Sequence, residues 1–368
     1  MSILLLPKTN KNELNIELKD VDTSIVNGIR RVCLAEYITV AFNTEDYINS
    51  DLKVIKNTCA LHNEFLLHRI GLVPIHANPD LFDVNKYKFI LKKKNEGNTT
   101  ISVTVEDFTV IDTETGKNID PKKFFPPNER NSYILLTKLK SNPNNKGEEI
   151  HIEGKGSKNN GKKHARYQPV SCITYKNKRD PDKVQEALDK YLKEHKDKPD
   201  TLKTQFDLTF ADRYFYTNQE GTCNYFEMYI ESLGIVSPEK ILYGCLDILS
   251  NKLSIFKTAI SNIVENKSEE ENVRLEISLE NMKAYTITAM NESHTLGNLI
   301  QFHALKFFDR EKLPFIGYKN PHPLKNMIEI KISTQNNTPE EINEIISITC
   351  DKIIATLESL KKTVSKKL

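Results

Sequence analysis

The sequence predicts an α+β protein built from two related units, each of antiparallel strands plus two helices, packed together within one chain, the first unit interrupted by a mainly β insert. Three observations carry this. First, Asp22-Thr-Ser-Ile-Val-Asn27-Gly-Ile29 and Ser293-His-Thr-Leu-Gly-Asn298-Leu-Ile300 share the pattern [Asp/Ser]-x-[Ser/Thr]-[Ile/Leu]-x-Asn-x-Ile, each after an alternating apolar/polar run. Such a duplication has to be found first, because overlooking it mistakes the whole architecture. Second, Ser237-Pro-Glu-Lys-Ile241 and Thr338-Pro-Glu-Glu-Ile342 each open a long stretch of helical apolar spacing. Third, about 210 residues separate Asn27 from Ser237 but about 40 separate Asn298 from Thr338, so the first copy holds a surplus of about 170 residues, the size of a domain. The expected divisions are 1–42 with 205–268 for the first unit, 43–204 for the insert and 269–368 for the second unit.

The elements follow in order. Glu13 to Leu18 alternates as a half-buried strand does. Asp22 or Ser24 then caps a helix whose Ile25, Ile29, Val32 and Cys33 share one face, with Arg30 and Arg31 off it. Lys86–Leu91 and Thr99–Val105 read as strands of the insert, and the Gly/Lys/Asn-rich stretch Asn142–Lys163 reads as a mobile loop. Pro181 to His195 is a short amphipathic helix capped by Asp180, and Phe206–Phe210 and Asn224–Ile230 are strands. From Ser237, a helix carries Ile241, Leu242, Cys245, Leu249, Leu253, Phe256 and Ile260 on one stripe, with Pro238 at its first position.

The second unit repeats the plan. Arg274–Leu279, Lys283–Thr288 and Met327–Ser333 are strands, and Ser293 caps a helix bearing Leu296, Leu299, Ile300, His303 and Ala304. Thr338, with Glu341 three residues on as a capping box, starts a helix lined by Ile342, Ile345, Ile346, Ile353, Leu357, Leu360 and Val364. Two long apolar stripes in one chain offer each other a partner surface.

Composition narrows the function classes. With 52 basic and 50 acidic residues the net charge is +2, which argues against a chain devoted to gripping a phosphate backbone. The six cysteines are scattered without a Cys-x-x-Cys pair, so neither a disulfide framework nor a cysteine zinc knuckle is signalled. No apolar run approaches a membrane span and the start lacks a basic leader region, which points to the cytosol or nucleus. No phosphate-binding glycine loop or Asp-x-Asp-x-Asp triad occurs, and the histidines form no catalytic pattern. Cys59-x-x-His62 with His68 and His76 lacks the paired spacing of a structural zinc site, so no metal and no cofactor is expected.

Four motifs occur in a fixed order: Asn-x-Ile-Arg-Arg at 27–31, Glu-Phe-x-x-His-Arg-x-Gly-x-x-Pro at 64–74, Gly-Lys-Lys-His-Ala-Arg-Tyr-Gln-Pro-Val at 161–170, and Phe-Glu-x-x-x-Glu-Ser-x-Gly from Phe226. With His294-Thr-Leu-Gly-Asn298 and Phe315-Ile-Gly-Tyr-Lys-Asn-Pro-His-Pro-Leu324, they resemble the alpha-like subunits of multisubunit DNA-directed RNA polymerases. Residues 13 to about 265 resemble the larger partner, the archaeal D or third-largest polymerase II type. Residues 272–368 resemble the smaller, the archaeal L or eleventh polymerase II type. Many larger partners carry four clustered cysteines or an iron–sulfur site in the insert, which this chain lacks.

The resemblance implies a non-catalytic assembly platform, an internal pseudo-heterodimer docking the second-largest and largest polymerase subunits, with the catalytic site on those subunits. It implies small zinc-binding partners similar to archaeal N and P, DNA only through the complex, and no membrane. Fusion of two normally separate subunits resembles the arrangement in large nucleocytoplasmic DNA viruses, hence a virion and host-cytoplasm location; a cellular chain of this type belongs in the nucleus. The residues it assigns to the large-subunit interface are Asn27, Arg30, Arg31, Glu64, His68, Arg69, Lys163, His164 and Arg166. Those expected in the internal pairing are Ile25, Ile29, Leu242, Leu249, Leu253, Leu296, Asn298, Leu299, Ile346, Ile353 and Leu357. The rival reading is a free-standing nucleic-acid-binding protein using the basic loops, which predicts steeply salt-dependent binding by the isolated chain.

Overall fold

The computed structural model describes residues 2–7, 10–141, 147–195, 199–265, 270–277 and 284–367. In chain order the elements begin β1 (Ser2–Leu5), β2 (Glu13–Lys19), α1 (Thr23–Ala35), β3 (Ile38–Ala41), β4 (Leu52–Asn57), α2 (Asn63–Gly71), β5 (Tyr87–Lys94), β6 (Ile101–Thr104), β7 (Phe108–Asp112), β8 (Asn118–Ile119) and β9 (Leu135–Leu139). There follow β10 (Glu149–Gly154), β11 (Ser157–Asn160), β12 (Val170–Asn177), α3 (Pro181–Glu194), α4 (Pro199–Thr209), β13 (Tyr225–Ser232) and α5 (Pro238–Glu265). The chain ends with β14 (Val273–Ile277), β15 (Tyr285–Met290), α6 (His294–Phe307), β16 (Phe315–Lys319), β17 (Met327–Ser333) and α7 (Pro339–Lys367). The α+β class with antiparallel pairing and two helices per repeat is therefore present.

Internal contacts divide the chain into two units: residues 1–32, 172–230 and 242–368, and residues 33–171 with 231–241. The first unit contains two four-stranded sheets of matching order, β1-β2-β13-β12 and β14-β15-β17-β16. In each, the strand before the Asn-x-Ile helix lies beside the strand before the long helix. The duplication is thus one of topology as well as of sequence. Alternation sets the faces: in β13 the even-numbered residues Phe226, Met228 and Ile230 are buried, and in β17 Ile328, Ile330 and Ile332 are.

The second unit is mainly β, with a five-stranded sheet β4-β10-β5-β7-β8 and the ribbons β11-β3 and β6-β9. Its core is aromatic. Phe42 meets Phe89 edge to face at 5.1 Å, and Phe108 and Phe125 lie 5.2 Å apart. Such pairs add specific geometry to the burial of large apolar rings.

Two expectations fail here. Phe206–Phe210 is not a strand but runs from the end of α4, because Leu202, Phe206 and Phe210 also fall at i, i+4 spacing; Leu202 and Phe206 are buried and Phe206 joins Leu188 and Tyr191 of α3. Alternation over five residues cannot by itself separate the two periods. Within the stretch expected as a loop, residues 142–146 lie outside the described residues. The rest is ordered: β10 pairs with both β4 and β5, burying Ile150 and Ile152, and β11 pairs with β3. The Glu-Ile-His-Ile-Glu alternation there was hidden by its Lys-, Asn- and Gly-rich flanks. Residues 278, 279 and 283, at the ends of two expected strands, also lie outside the described residues.

The helix starts agree with their caps. Ser237 Oγ accepts from Lys240 N and Thr338 Oγ1 from Glu341 N. The capping box is only half made, since the Glu341 carboxylate turns instead to Thr334 Oγ1 at 2.5 Å and Asn336 N at 2.9 Å, tying the preceding loop to the first turn of α7. Among the described residues, no helix is long and apolar enough to cross a membrane.

Candidate functional site

Four helices of the first unit meet through their apolar stripes. Ile25 and Ile29 of α1, Leu242, Leu249 and Leu253 of α5, Leu296 and Leu299 of α6, and Ile346, Ile353 and Leu357 of α7 are all buried, while Asn298 is half-buried. A methyl group built on Gly28 would lie 3.7 Å from both Leu249 and Leu299, so α1 passes against α5 and α6 at that point. Each fully buried Leu or Ile contributes about 1.5–3 kcal/mol by leaving water.

Polar contacts fix the register. Along α1 and α6, Asp22 accepts from Lys306 Nζ at 3.0 Å, Ser24 Oγ lies 3.3 Å from His303 Nε2, and Arg31 Nε donates to Thr295 Oγ1 at 2.9 Å. The numbers run in opposite senses, so the two helices are antiparallel. The long helices are antiparallel as well: Tyr243 OH donates to the Lys361 carbonyl at 3.2 Å, Lys257 pairs with Asp351 at 2.7 Å, and Ser261 Oγ donates to Asn343 Oδ1 at 3.0 Å.

His303 is the unusual member of this seam. It is 2% exposed, and its Nδ1 has no hydrogen-bond partner, with Asp22 Oδ2 4.0 Å away. Burial pushes its pKa down to about 4; the Asp22 charge opposes this and Lys306 adds to it. The ring is therefore neutral at pH 7.

The second unit carries a cleft of about 760 Å³ lined by residues of two expected motifs, Glu64 and His68 from α2 and His164 and Arg166 from the tract beyond β11, together with Thr44, Tyr47, His62 and Phe65. His62 caps α2 by accepting from Phe65 N. Arg166 forms the floor: it is 7% exposed and donates to Phe42 O at 2.7 Å, Thr44 Oγ1 at 2.6 Å and His164 Nδ1 at 3.1 Å. As an acceptor at Nδ1, His164 is neutral; burial, with the Arg166 charge, lowers its pKa. Phe65 and Tyr47 are exposed at the rim.

Residues 15–126 and residues 284–363 each match the RNA polymerase Rpb3/Rpb11 dimerisation domain. The chain carries two Rpb3/Rpb11 dimerisation domains. It is 27% identical over 296 residues to the DNA-directed RNA polymerases I and III subunit RPAC1 of Saccharomyces cerevisiae, covering 67% of this chain and 83% of that protein. To the RNA polymerase II subunit RPB3 of Schizosaccharomyces pombe it is 25% identical over 297 residues, covering 74% and 90%. A conjugation stage-specific protein of Tetrahymena thermophila is 28% identical over 201 residues, or 48% of this chain, which spans 60% of that protein's length.

Against this background the expected interface residues sort into distinct roles. Arg31, expected to face other subunits, spends its Nε on Thr295 of the second dimerisation domain. Arg30 is bonded to Asn27 one turn earlier at 3.1 Å. Arg69, though exposed, donates to the carbonyls of Leu136 and Leu135 at 3.0 Å, clasping β9 to α2. Arg166 is structural, whereas Glu64, His68 and Lys163 are exposed. Glu64, His68, His164 and Arg166 share the cleft, while Asn27, Arg30 and Arg31 belong to the other unit.

Sequence reasoning passed over Asp22, Ser24, Thr295, His303 and Lys306 as cross-seam partners, and Thr44, Tyr47, His62 and Phe65 as cleft residues. Of the first group, Asp22, His303 and Lys306 stand where the two copies carry different residues, whereas Ser24 and Thr295 occupy the shared Ser/Thr position of the repeat. Nothing local marks Thr44 or Tyr47. Among the described residues no three His, Cys, Asp or Glu side chains converge as metal ligands would; His62 is engaged as a helix cap and Cys59 Sγ donates to Leu61 O.

Proposed function

We propose that this chain is a non-catalytic assembly platform of a DNA-directed RNA polymerase, in which the larger and smaller alpha-like subunits are fused and paired within one polypeptide. The observation that carries the reading is the pair of Rpb3/Rpb11 dimerisation matches in one chain, with α1 of the first and α6 and α7 of the second packed together with α5 in a single unit. Homology to subunits of polymerases I, II and III supports membership of such a complex. Covalent linkage removes the translational cost of pairing and fixes a one-to-one ratio. The second-largest and largest subunits are the proposed partners, joined by small zinc-binding subunits similar to archaeal N and P. The proposed docking residues are, in the first unit, Asn27 and Arg30 and, separately in the second, Glu64, His68, Lys163 and the rim of the cleft. Arg31, Arg69 and Arg166 support them from within. The fusion favours a large nucleocytoplasmic DNA virus as source, with the protein in the virion and host cytoplasm.

Affinity purification of the tagged chain is expected to bring down two polypeptides each more than twice its 42.3 kDa. Arg30→Glu, His68→Glu and Lys163→Glu together should abolish that recovery while leaving thermal unfolding unchanged. Recovery of the solitary chain, with salt-sensitive DNA or RNA binding of its own, would instead establish the nucleic-acid-binding reading.

A further inference from the structure

The two copies of the repeat are alike enough to raise the possibility of pairing like with like, α1 on α1 or α6 on α6 from separate molecules. Aligning Asn27 with Asn298 shows what such pairs would contain. Asp22 corresponds to Ser293, and Lys306 to Ala35, so an α1–α1 pair sets Asp22 against Ala35 and an α6–α6 pair sets Lys306 against Ser293. Neither forms the ion pair seen between Asp22 and Lys306. His303 corresponds to Val32, so an α1–α1 pair gives Ser24 an aliphatic neighbour in place of the imidazole nitrogen it has here.

At the crossing point the difference is one of volume. Gly28 corresponds to Leu299, and here they face each other. An α1–α1 pair sets glycine on glycine and leaves a gap; an α6–α6 pair forces leucine on leucine. Cavities and overpacking in a close-packed seam are both destabilising. Arg31 corresponds to Phe302, which has no donor for Thr295.

We infer that the α1–α6 seam is a pairing code, in which the unlike residues at these matched positions select the heterotypic pair and reject both homotypic ones. It acts by complementary charge, donor and volume rather than by extra apolar area, as specificity by negative design does. This selectivity concerns the two halves of the chain and stands whether or not the chain docks larger subunits.

Transposition tests it on the full chain. Gly28→Leu and Leu299→Gly are each expected to lower the thermal midpoint of the first unit by about 5–10 °C, one by crowding and one by a cavity. The transposed double variant has the same composition as the natural chain and should be clearly more stable than the sum of the two losses, a non-additive result, short of full recovery because a leucine at 28 still meets Leu249. A double variant as unstable as the sum of the singles would overturn the code. A milder cycle, Asp22→Asn with Lys306→Gln, supplies an independent reading should Gly28→Leu fail to fold, since it removes the charges while nearly preserving the shapes. Coupling between those two substitutions supports the code, and strict additivity removes the charge pair from it.

Discussion

Acid should loosen the first unit through one imidazole. His303 takes its proton at about pH 4 in the folded chain, against about 6.5 in an unfolded one. Between those values the unfolded state binds more protons, so stability is complete above about pH 6.5 and declines as the pH falls towards 4. With those two pKa values the loss at pH 5 relative to pH 8 is about 2 kcal/mol, rising to about 3.4 kcal/mol below pH 4. The groups facing the ring are Asp22 just before α1, Ser24 of α1 and Lys306 from its own helix; Asp22 favours the charged form, but burial outweighs it and Lys306 acts in the same direction as burial. For a unit of this size about 2 kcal/mol corresponds to roughly 4–8 °C in the unfolding midpoint. Calorimetry of the natural chain and of His303→Gln at pH 8 and pH 5 reads the difference, because all other acid-sensitive groups are common to both. The natural chain should lose about 4–8 °C more than the variant over that interval. Equal losses, or an imidazole resonance assigned to His303 that titrates near pH 6.5, would refute the reasoning.

Further outcomes follow from the packing. Leu249→Ala leaves a hole where α5 meets Gly28 and should cost about 2–5 kcal/mol, read as a lower midpoint for the first unit. Arg166→Ala strands the Phe42 carbonyl and the Thr44 hydroxyl in the second unit at about 1–3 kcal/mol. Arg166→Lys should recover little of this, because an ammonium on a flexible stem does not reproduce the fork that also reaches His164; proteolysis of the unit measures both. Gly161→Ala would set its methyl 1.9 Å from the Leu34 carbonyl oxygen, so the β3–β11 ribbon should exchange its amide hydrogens faster than in the natural chain.

The fold was legible where the sequence repeats itself. Both Asn-x-Ile helices, both Pro-initiated long helices and their buried stripes follow from spacing and caps, and the strand before each helix from alternation. Legibility failed where two periods coincide, as at Leu202, Phe206 and Phe210, and where charged flanks conceal a buried pair, as at Ile150 and Ile152. The site was harder to read for a different reason. A motif marks arginines but does not say what they bond, and three of the arginines expected to face other subunits turn to groups of the chain itself: Arg31 to Thr295, Arg69 to β9 and Arg166 to Phe42 and Thr44. Those partners are far away in sequence, so only the folded chain reveals them. His303 was legible as an apolar-face residue, but not as a buried imidazole shared between two helices.

The matching sheets impose a timetable on synthesis. In the second copy β15 and β17 meet across a few tens of residues, whereas β2 must wait for β13, which leaves the ribosome about 200 residues later. Closing the longer loop costs about 1.5 kcal/mol more if the intervening chain is unstructured. A β insert that folds as it emerges shortens the slack between β2 and β13, the two inner strands of the first sheet, whereas an insert that lags leaves the apolar faces of β2 and α1 exposed to the crowded interior of the cell. The beginning of the chain therefore completes its sheet only once β13, made after the insert, has emerged.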